Sequence, residues 1–302
     1  MMFVVSDSYD GLRLPESIDL EWIKQLMEFY RAENKLPLYD VYKILYGIKE
    51  LVQDAPSLID IDIPENGCVT VFGDVHGQLY DVLHALSLSG LPSESNILLF
   101  NGDLVDRGSW SIEVILLAFC MKLAFPKYVH IARGNHETRS MNKVYGFEGE
   151  VKAKYNEICF EFFLEIFCLL PLAHLIEKKI FVCHGGLFGE DGITLDDIRN
   201  VKRNREPPNN GVMCDLLWSD PLPGQQLGRS KSKRGVGVMF GKDVTHKFLE
   251  RNQLDLVVRS HEVRSEGYSE EHDGKLITIF SAPNYCDRVR IFSINYFFYF
   301  HS

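Results

Sequence analysis

Six short apolar runs end abruptly in glycine and polar residues, and this repetition constrains the fold more than any other feature of the chain. The runs are Cys68–Phe72, Ile97–Asn101, Tyr128–Ala132, Ile180–Cys183, Asp255–Val258 and Leu276–Phe280. Each is of strand length and too short for a stable helix. Longer helical or irregular segments alternate with them, the texture of an α/β chain whose strands end in polar loops. Such folds build their sites at strand ends, so polar residues scattered along the sequence are expected to converge in space.

Before the first run, Leu20, Ile23, Leu26, Met27 and Tyr30 share one helical face. Val41, Ile44, Leu45, Ile48, Leu51 and Val52 repeat the pattern, with Pro37 separating the two helices. Residues 1–18 read as a loose lead-in and residues 203–235, rich in Pro, Gly and Asn, as surface loops. The seven cysteines include no CxxC pair. Cys120, Cys159, Cys168 and Cys183 lie in apolar runs, which fits buried thiols in a reducing compartment. The N-terminus lacks the features of a signal peptide. The most apolar stretch, Ile158 to Ile176, carries Glu161, Glu165 and Pro171, which excludes a membrane span. A net charge of −10 argues against nucleic-acid or anionic-membrane partners. The expected location is cytoplasmic or nuclear.

Chemistry concentrates after the strands. In Gly73-Asp74-Val75-His76-Gly77, Asp74 and His76 are two apart, so extended backbone sends both side chains to one face. A carboxylate and an imidazole so placed suit a first-row divalent metal. A helix-capping Asp with a packed His is the plainer reading of this motif alone. Gly102-Asp103-Leu104-Val105-Asp106-Arg107-Gly108 offers Asp103 as a ligand and Arg107 as a planar fork for phosphate oxygens. A turn with a local Asp106–Arg107 ion pair is its structural alternative. Gly134-Asn135-His136-Glu137 supplies an amide ligand in Asn135. His136, next to a metal site rather than on it, suits a general acid. His184 and His261 follow two further strands. Five strand ends that each present Asp, Asn or His are hard to explain as coincidence.

The motifs GDVHG, GDLVDRG, GNHE, HGG, RSHE and SAPNYC, with Leu217-Trp218-Ser219-Asp220-Pro221, occur here in the order found in phosphoprotein phosphatases. The chain resembles that family, within the calcineurin-like metallophosphoesterases, over roughly residues 20–287. The stretch Tyr145–Tyr155, Arg203-Asn-Arg205 and Ser232-Lys-Arg-Gly235 look most like its type 5 branch. The resemblance implies an α/β (α+β) fold, a central β-sandwich flanked by helices on both sides. It also implies a metal-dependent phosphoserine and phosphothreonine hydrolase. Asp74, His76 and Asp103 would hold one divalent ion. Asp103, Asn135, His184 and His261 would hold a second, with Asp103 bridging. His136 would protonate the leaving alkoxide, with Asp106 orienting it. Arg107 and Arg234 would clamp the phosphoryl oxygens, although Arg259 adjoins a metal ligand, and Tyr285 would line the pocket. Hydroxide held between the ions would attack phosphorus in line, without a phosphoenzyme. Mn²⁺ is the expected ion in vitro, with Fe or Zn compatible.

The implied organisation is the lead-in 1–18, a catalytic domain 19–287 with a helical preface 19–55, and an atypical tail 288–302. The tail replaces the family's Gly-rich loop and closing strands, although part of it alternates well enough to supply one strand. Type 5 members carry an N-terminal helical-repeat domain that binds chaperones, and nothing here is expected to encode it. Phosphoproteins are the expected partners. A truncated, non-catalytic binding isoform is the main rival, and an esterase for nucleotides or other small phosphates the second. Cys183 is no phosphatase nucleophile, since Gly189 stands where an arginine would cradle phosphate. Asp60-Ile61-Asp62 reads as a solvated turn.

Overall fold

The computed structural model describes residues 9–286, 289–290 and 296–298. Helices α1 (Leu20–Arg31) and α2 (Leu38–Val52) lead into β1 (Leu58–Ile61) and β2 (Cys68–Phe72), followed by α3 (Leu79–Ser89), β3 (Asn96–Phe100), α4 (Ser111–Ala124) and β4 (Val129–Ile131). Next come α5 (Arg139–Tyr145), α6 (Phe147–Lys154), α7 (Glu157–Leu169), β5 (Ala173–Ile176), β6 (Ile180–Cys183) and α8 (Leu195–Arg199). The chain continues through α9 (Val212–Trp218), β7 (Asp220–Pro221), β8 (Arg229–Lys231), β9 (Val238–Phe240), α10 (Lys242–Asn252) and β10 (Leu256–Arg259). Strands β11 (Tyr268–Glu271), β12 (Leu276–Ile279), β13 (Asn284–Tyr285), β14 (Val289–Arg290) and β15 (Tyr296–Phe298) complete it.

Two sheets dominate. One has the order β1-β5-β6-β10-β12-β11 and the other β15-β2-β3-β4. In the second sheet β2, β3 and β4 run parallel, and β15 joins β2 antiparallel. Residues 296–298 thus supply an edge strand, as the alternation of the tail allows. In the first sheet β6, β10 and β12 are parallel.

Strand alternation assigns each sheet two buried faces. Val69, Val71, Ile97 and Leu99 meet Ile180, Val182, Val258 and Ile277 between the sheets. The intervening Phe72, Leu98 and Phe100 face the helical layer of α1–α4 and α7, while Phe181 and Cys183 face α9 and α10. The result is the expected sandwich with helices on both outer faces. Strands buried on both sides explain why the runs read as continuously apolar.

The helices start where capping chemistry permits. Asp19 accepts from the Trp22 amide at 2.8 Å, and Asn156 caps α7 through the Cys159 amide. Pro37 fixes the entry to α2. Two expectations need correction. Residues 203–235 are not all surface loop, because α9 buries Met213, Cys214, Leu216 and Leu217. Asp60 and Ile61 belong to β1, paired with β5, rather than to a solvated turn. Both segments look polar or turn-like locally, and their structure comes from long-range packing. All seven cysteines are free thiols; Cys120, Cys159 and Cys183 are buried, whereas Cys168 is only partly so. Among the described residues no helix is long and apolar enough to cross a membrane.

Phe147 ties the helical layer together. It is fully buried, contacts the rings of Phe160, Phe163 and Phe167, and donates its amide to the Asp106 carboxylate at 2.9 Å. Phe147→Ala is expected to destabilise the protein by about 3–5 kcal/mol, read as a lowered urea midpoint.

Candidate active site

The five strand ends named from the sequence meet at one place, where the two sheets join. Asp74 bridges in parallel to Phe280, and its carbonyl accepts from the Ser281 amide at 3.0 Å, so β2 is fastened to the end of β12. Asn101 donates to the Cys183 carbonyl and to Ser260 Oγ, each at 2.8 Å, which fastens β3 to β6 and β10. Glycine is required at the closest approach. A Cβ on Gly134 would overlap the Asp103 backbone and carboxylate.

The backbone is held in unfavourable conformations here. His76, Asp103, Asp106, Arg107 and His261 all have positive φ, between 43° and 72°. Non-glycine residues adopt this region at a cost that the surrounding structure must override. Glu137 is the principal restraint. Its buried carboxylate accepts from the amides of Asp103 at 2.9 Å, Leu104 at 2.9 Å and Gly134 at 2.7 Å. The loops after β3 and β4 are therefore locked to one side chain.

The six side chains expected from the resemblance to hold metal lie close together. His76 Nδ1 meets the Val105 carbonyl at 2.9 Å, which leaves Nε2 facing Asp74 Oδ2 at 3.7 Å and Asp103 Oδ2 at 3.6 Å. His184 Nδ1 meets the Asn101 carbonyl at 2.9 Å. Its Nε2 then lies 2.9 Å from Asn135 Oδ1, 3.2 Å from His261 Nδ1 and 3.3 Å from Asp103 Oδ2. Backbone carbonyls orient both imidazoles in the manner usual for metal-binding histidines.

This donor set fits a cation. Asp74 and Asp103 are both buried, and burial followed by repulsion from Asp103 pushes the Asp74 carboxyl up to about 6. Burial opposes a charge on His184, yet Asp103 and Asp74 outweigh it and raise its imidazole to about 9. Lone pairs of Asn135, His184, His261 and Asp103 point at one another with too few protons among them. His261 Nε2 is a buried atom without a hydrogen-bond partner among the described residues. Divalent charge answers each of these deficits. Two groups lie within 4.8 Å internally, His76–Asp103–His136 and Asp103–His184–His261, and Asp103 is common to both.

His136 stands apart from the ligands by virtue of its partner. Its Nδ1 lies 2.7 Å from Asp106 Oδ2, and Asp106 is itself fixed by Asn142 Nδ2 at 3.1 Å and the Phe147 amide. Burial disfavours the imidazolium, but Asp103 and Asp106 outweigh it and raise the His136 pKa. A histidine that holds its proton is a proton donor rather than a ligand.

The predicted anion contacts divide in two. The Arg107 guanidinium lies 3.7 Å from the Tyr145 ring centre and 5.9 Å from that of Tyr285, with no carboxylate partner among the described residues. Arg234 donates through Nε to Asp220 Oδ2 at 2.6 Å and through Nη2 to the His261 carbonyl at 3.3 Å. Arg259 is fully buried and bonded to the carbonyls of Gly185 and Ser219, to Glu262 and to Asp220. Its polar groups are committed to the frame, whereas Arg234 keeps N–H groups that no described residue takes. The Tyr285 ring lies 5.2 Å from that of His76. Sequence reasoning quoted Glu137 and Asp220 inside motifs but gave them no role. It also gave none to Asn142, Tyr145 or Trp218, whose ring packs edge-on against His261. A buried acid directly after a metal-binding strand end was the available signal for Glu137.

Known proteins match this arrangement. A family model described as calcineurin-like phosphoesterase matches residues 69–265, and one described as PPP5 TPR repeat region matches residues 1–60. The second match corrects the expectation that nothing in the chain corresponds to that region. It falls on the lead-in, α1, α2 and most of β1, and both helices are packed here into the core beside α4. Serine/threonine-protein phosphatase 5 of Solanum lycopersicum is 56% identical over 94% of this chain and 51% of its own length. The Homo sapiens protein of the same name is 53% identical over 94% of this chain and 57% of its own length. The chain thus spans little more than half of these curated relatives. A solved Saccharomyces cerevisiae protein serine/threonine phosphatase, described as similar to human phosphatase PP5, superposes with a TM-score of 0.85 at 42% identity. That superposition covers 88% of this chain and 84% of the yeast one.

Glu137→Gln puts an amide NH₂ against backbone amides that now donate to the carboxylate. It is expected to weaken divalent-metal binding by about 10–100-fold, measured by calorimetric titration of the metal-free protein.

Proposed function

The chain belongs to the calcineurin-like phosphoesterase family, and from that premise we propose that it is a serine/threonine protein phosphatase hydrolysing phosphoserine and phosphothreonine in a single in-line step. The observation that carries this reading is the convergence of six ligand side chains beside the His136–Asp106 pair and Arg107. The residues assigned to hold two divalent ions are Asp74, His76, Asp103, Asn135, His184 and His261, with Asp103 shared. When bound, the ions supply positive charge against the phosphoryl group and acidify water for attack on phosphorus. Mn²⁺ is the ion of choice for assay.

The chain's own residues do the rest. Arg107, braced on Tyr145 and with no carboxylate partner among the described residues, offers its fork to two phosphoryl oxygens. Arg234 is pinned by Asp220 and contributes its remaining N–H groups from the opposite wall. Tyr285, whose hydroxyl is kept neutral by burial, closes the side next to His76. Asp106 keeps the Nδ1 proton on His136, so the proton on Nε2 faces the leaving oxygen. An alkoxide leaves poorly without that proton, which is the reason for a raised imidazole pKa at this position. An open cleft of about 650 Å³ adjoins Arg234 and Trp218 and is lined by Arg139, Lys143 and Glu206. It has room for residues flanking a phosphorylated side chain, which favours a protein substrate over a small ester.

Residues 19–287 form the catalytic unit in this reading, with phosphoproteins of the cytoplasm or nucleus as substrates. Regulatory partners bound through repeats, and any activity of a longer protein, are part of the same proposal.

Phosphothreonine-peptide hydrolysis by the purified chain in Mn²⁺ is expected, with Asp103→Asn inactive. Absence of turnover by folded, metal-binding protein would instead assign the chain a binding role. His136→Asn should lower kcat on the peptide by about 10²–10⁴-fold and spare much more of the turnover of p-nitrophenyl phosphate, whose leaving group needs no proton. Equal losses on both substrates would remove His136 from the acid role.

A further inference from the structure

A second cavity, of about 140 Å³, lies among α2, α4, β1, β4 and β5 and shares no residue with the catalytic cluster. Its walls are largely apolar, with Val52, Phe119 and Leu170 prominent, but its polar groups are all basic: Lys122, His130 and His174. No carboxylate lines it. The Lys122 ammonium has the Pro126 carbonyl at 2.6 Å, and His130 Nε2 has the Lys127 carbonyl at 3.1 Å. His174 is 1% exposed, and its Nδ1 has no partner among the described residues. The two imidazoles meet edge-on with centres 5.4 Å apart.

A protein with ten excess negative charges has here gathered three basic groups around one apolar hollow without an acid to balance them. Burial pushes the Lys122 ammonium down to about 8, and burial followed by repulsion from Lys122 holds His130 near 3. A partly buried ammonium with one carbonyl partner and a buried imidazole nitrogen with none among the described residues both have hydrogen-bonding capacity to spare. A cavity of about 150 Å³ lined by Leu, Ile and Phe holds a single benzene ring, so the volume suits one ring or a short chain.

We infer that this cavity is a binding site for a small monoanion with an apolar body, an aromatic or short-chain carboxylate. Lys122 Nζ and His174 Nδ1 take the carboxylate, and Val52, Phe119 and Leu170 enclose the body. Occupancy joins β4 to β5, and the Pro171 carbonyl before β5 already accepts from the Arg133 amide at 2.7 Å, two residues before Asn135. The ligand therefore sits behind the strand that carries Asn135 and His136.

The test uses benzoate as probe and benzamide as its neutral counterpart, titrated into the metal-loaded chain with inorganic phosphate saturating the catalytic cluster. Benzoate is expected to bind saturably and about 10–100-fold more tightly than benzamide, the ratio of a charge-assisted contact to a neutral one. It should move the His130 and His174 ring signals in the NMR spectrum. Lys122→Met should abolish that preference and leave p-nitrophenyl phosphate turnover unchanged, and Ala55→Phe should fill the cavity and remove binding of both probes. No saturable binding, benzoate displaced by phosphate, equal affinity for both probes, or unmoved histidine signals would each overturn the proposal. The ring signals are read on the unaltered protein, so a variant that fails to fold leaves the test decisive.

Discussion

Two buried carboxylates a short distance apart are the constraint on which the rest of this structure depends. Asp74 and Asp103 are both withdrawn from water, and among the described residues neither forms an ion pair with an arginine. Like charges in a dry interior repel strongly, so the arrangement persists only where packing compels it and a cation completes it. The two-sheet sandwich provides the compulsion. Each sheet contributes strand ends whose apolar residues are locked on both faces, and the loops beyond have no freedom to carry the acids apart. The positive φ angles at His76, Asp103 and His261 are the local cost of placing lone pairs inward. The Glu137 carboxylate, bonded to three amides across two loops, offsets part of it.

The legible part of this molecule was the part governed by short-range pattern. Strands β2 and β6 fall on the residues that apolar run length and punctuation select, and β3, β4, β10 and β12 differ by one residue at their ends. Helix α2 begins directly after Pro37, whose fixed φ suits a helix entry, and α1 begins after the Asp19 cap. The six residues proposed as ligands stand at strand ends too, where the preceding strand fixes the start of each loop. What could not be read lacks a local cause. Strand β1 is short and interrupted by Asp60, and it exists because β5 pairs with it across more than a hundred residues. Helix α9 sits within a Pro- and Gly-rich stretch and is created by the core it fills. Glu137 looks like any acid in a turn until three amides are seen to depend on it.

Asp220 shows how one buried acid divides labour between two arginines. Its Oδ1 takes Nη2 of Arg259 at 2.9 Å, and its Oδ2 takes Nε of Arg234 at 2.6 Å. Arg259 stands close in sequence to His261, a residue proposed to hold metal, yet its guanidinium is spent on two carbonyls and two carboxylates. It holds the end of β10 to the segment after α9 and so fixes where His261 stands. Arg234 is part-exposed and only half committed, which leaves donors for a ligand. Sequence adjacency to a site thus misleads for a long side chain, because a guanidinium reaches its partners well away from its own backbone.

The contrast with Arg107 completes the argument about charge. Among the described residues Arg107 braces itself on the Tyr145 ring rather than on an acid, and a cation held by a π face keeps its hydrogen-bond donors unspent. Arg234 is held by an acid and keeps geometry at the expense of charge. In the proposed reaction one arginine would present its charge to an incoming dianion, and the other direction. A phosphoryl group crossing between attacking and leaving oxygens needs both, since its equatorial oxygens must be neutralised without being pulled off the line of transfer. Two arginines supported in different ways meet that need better than two supported alike, and the two supports, Tyr145 and Asp220, lie in separate segments of the chain.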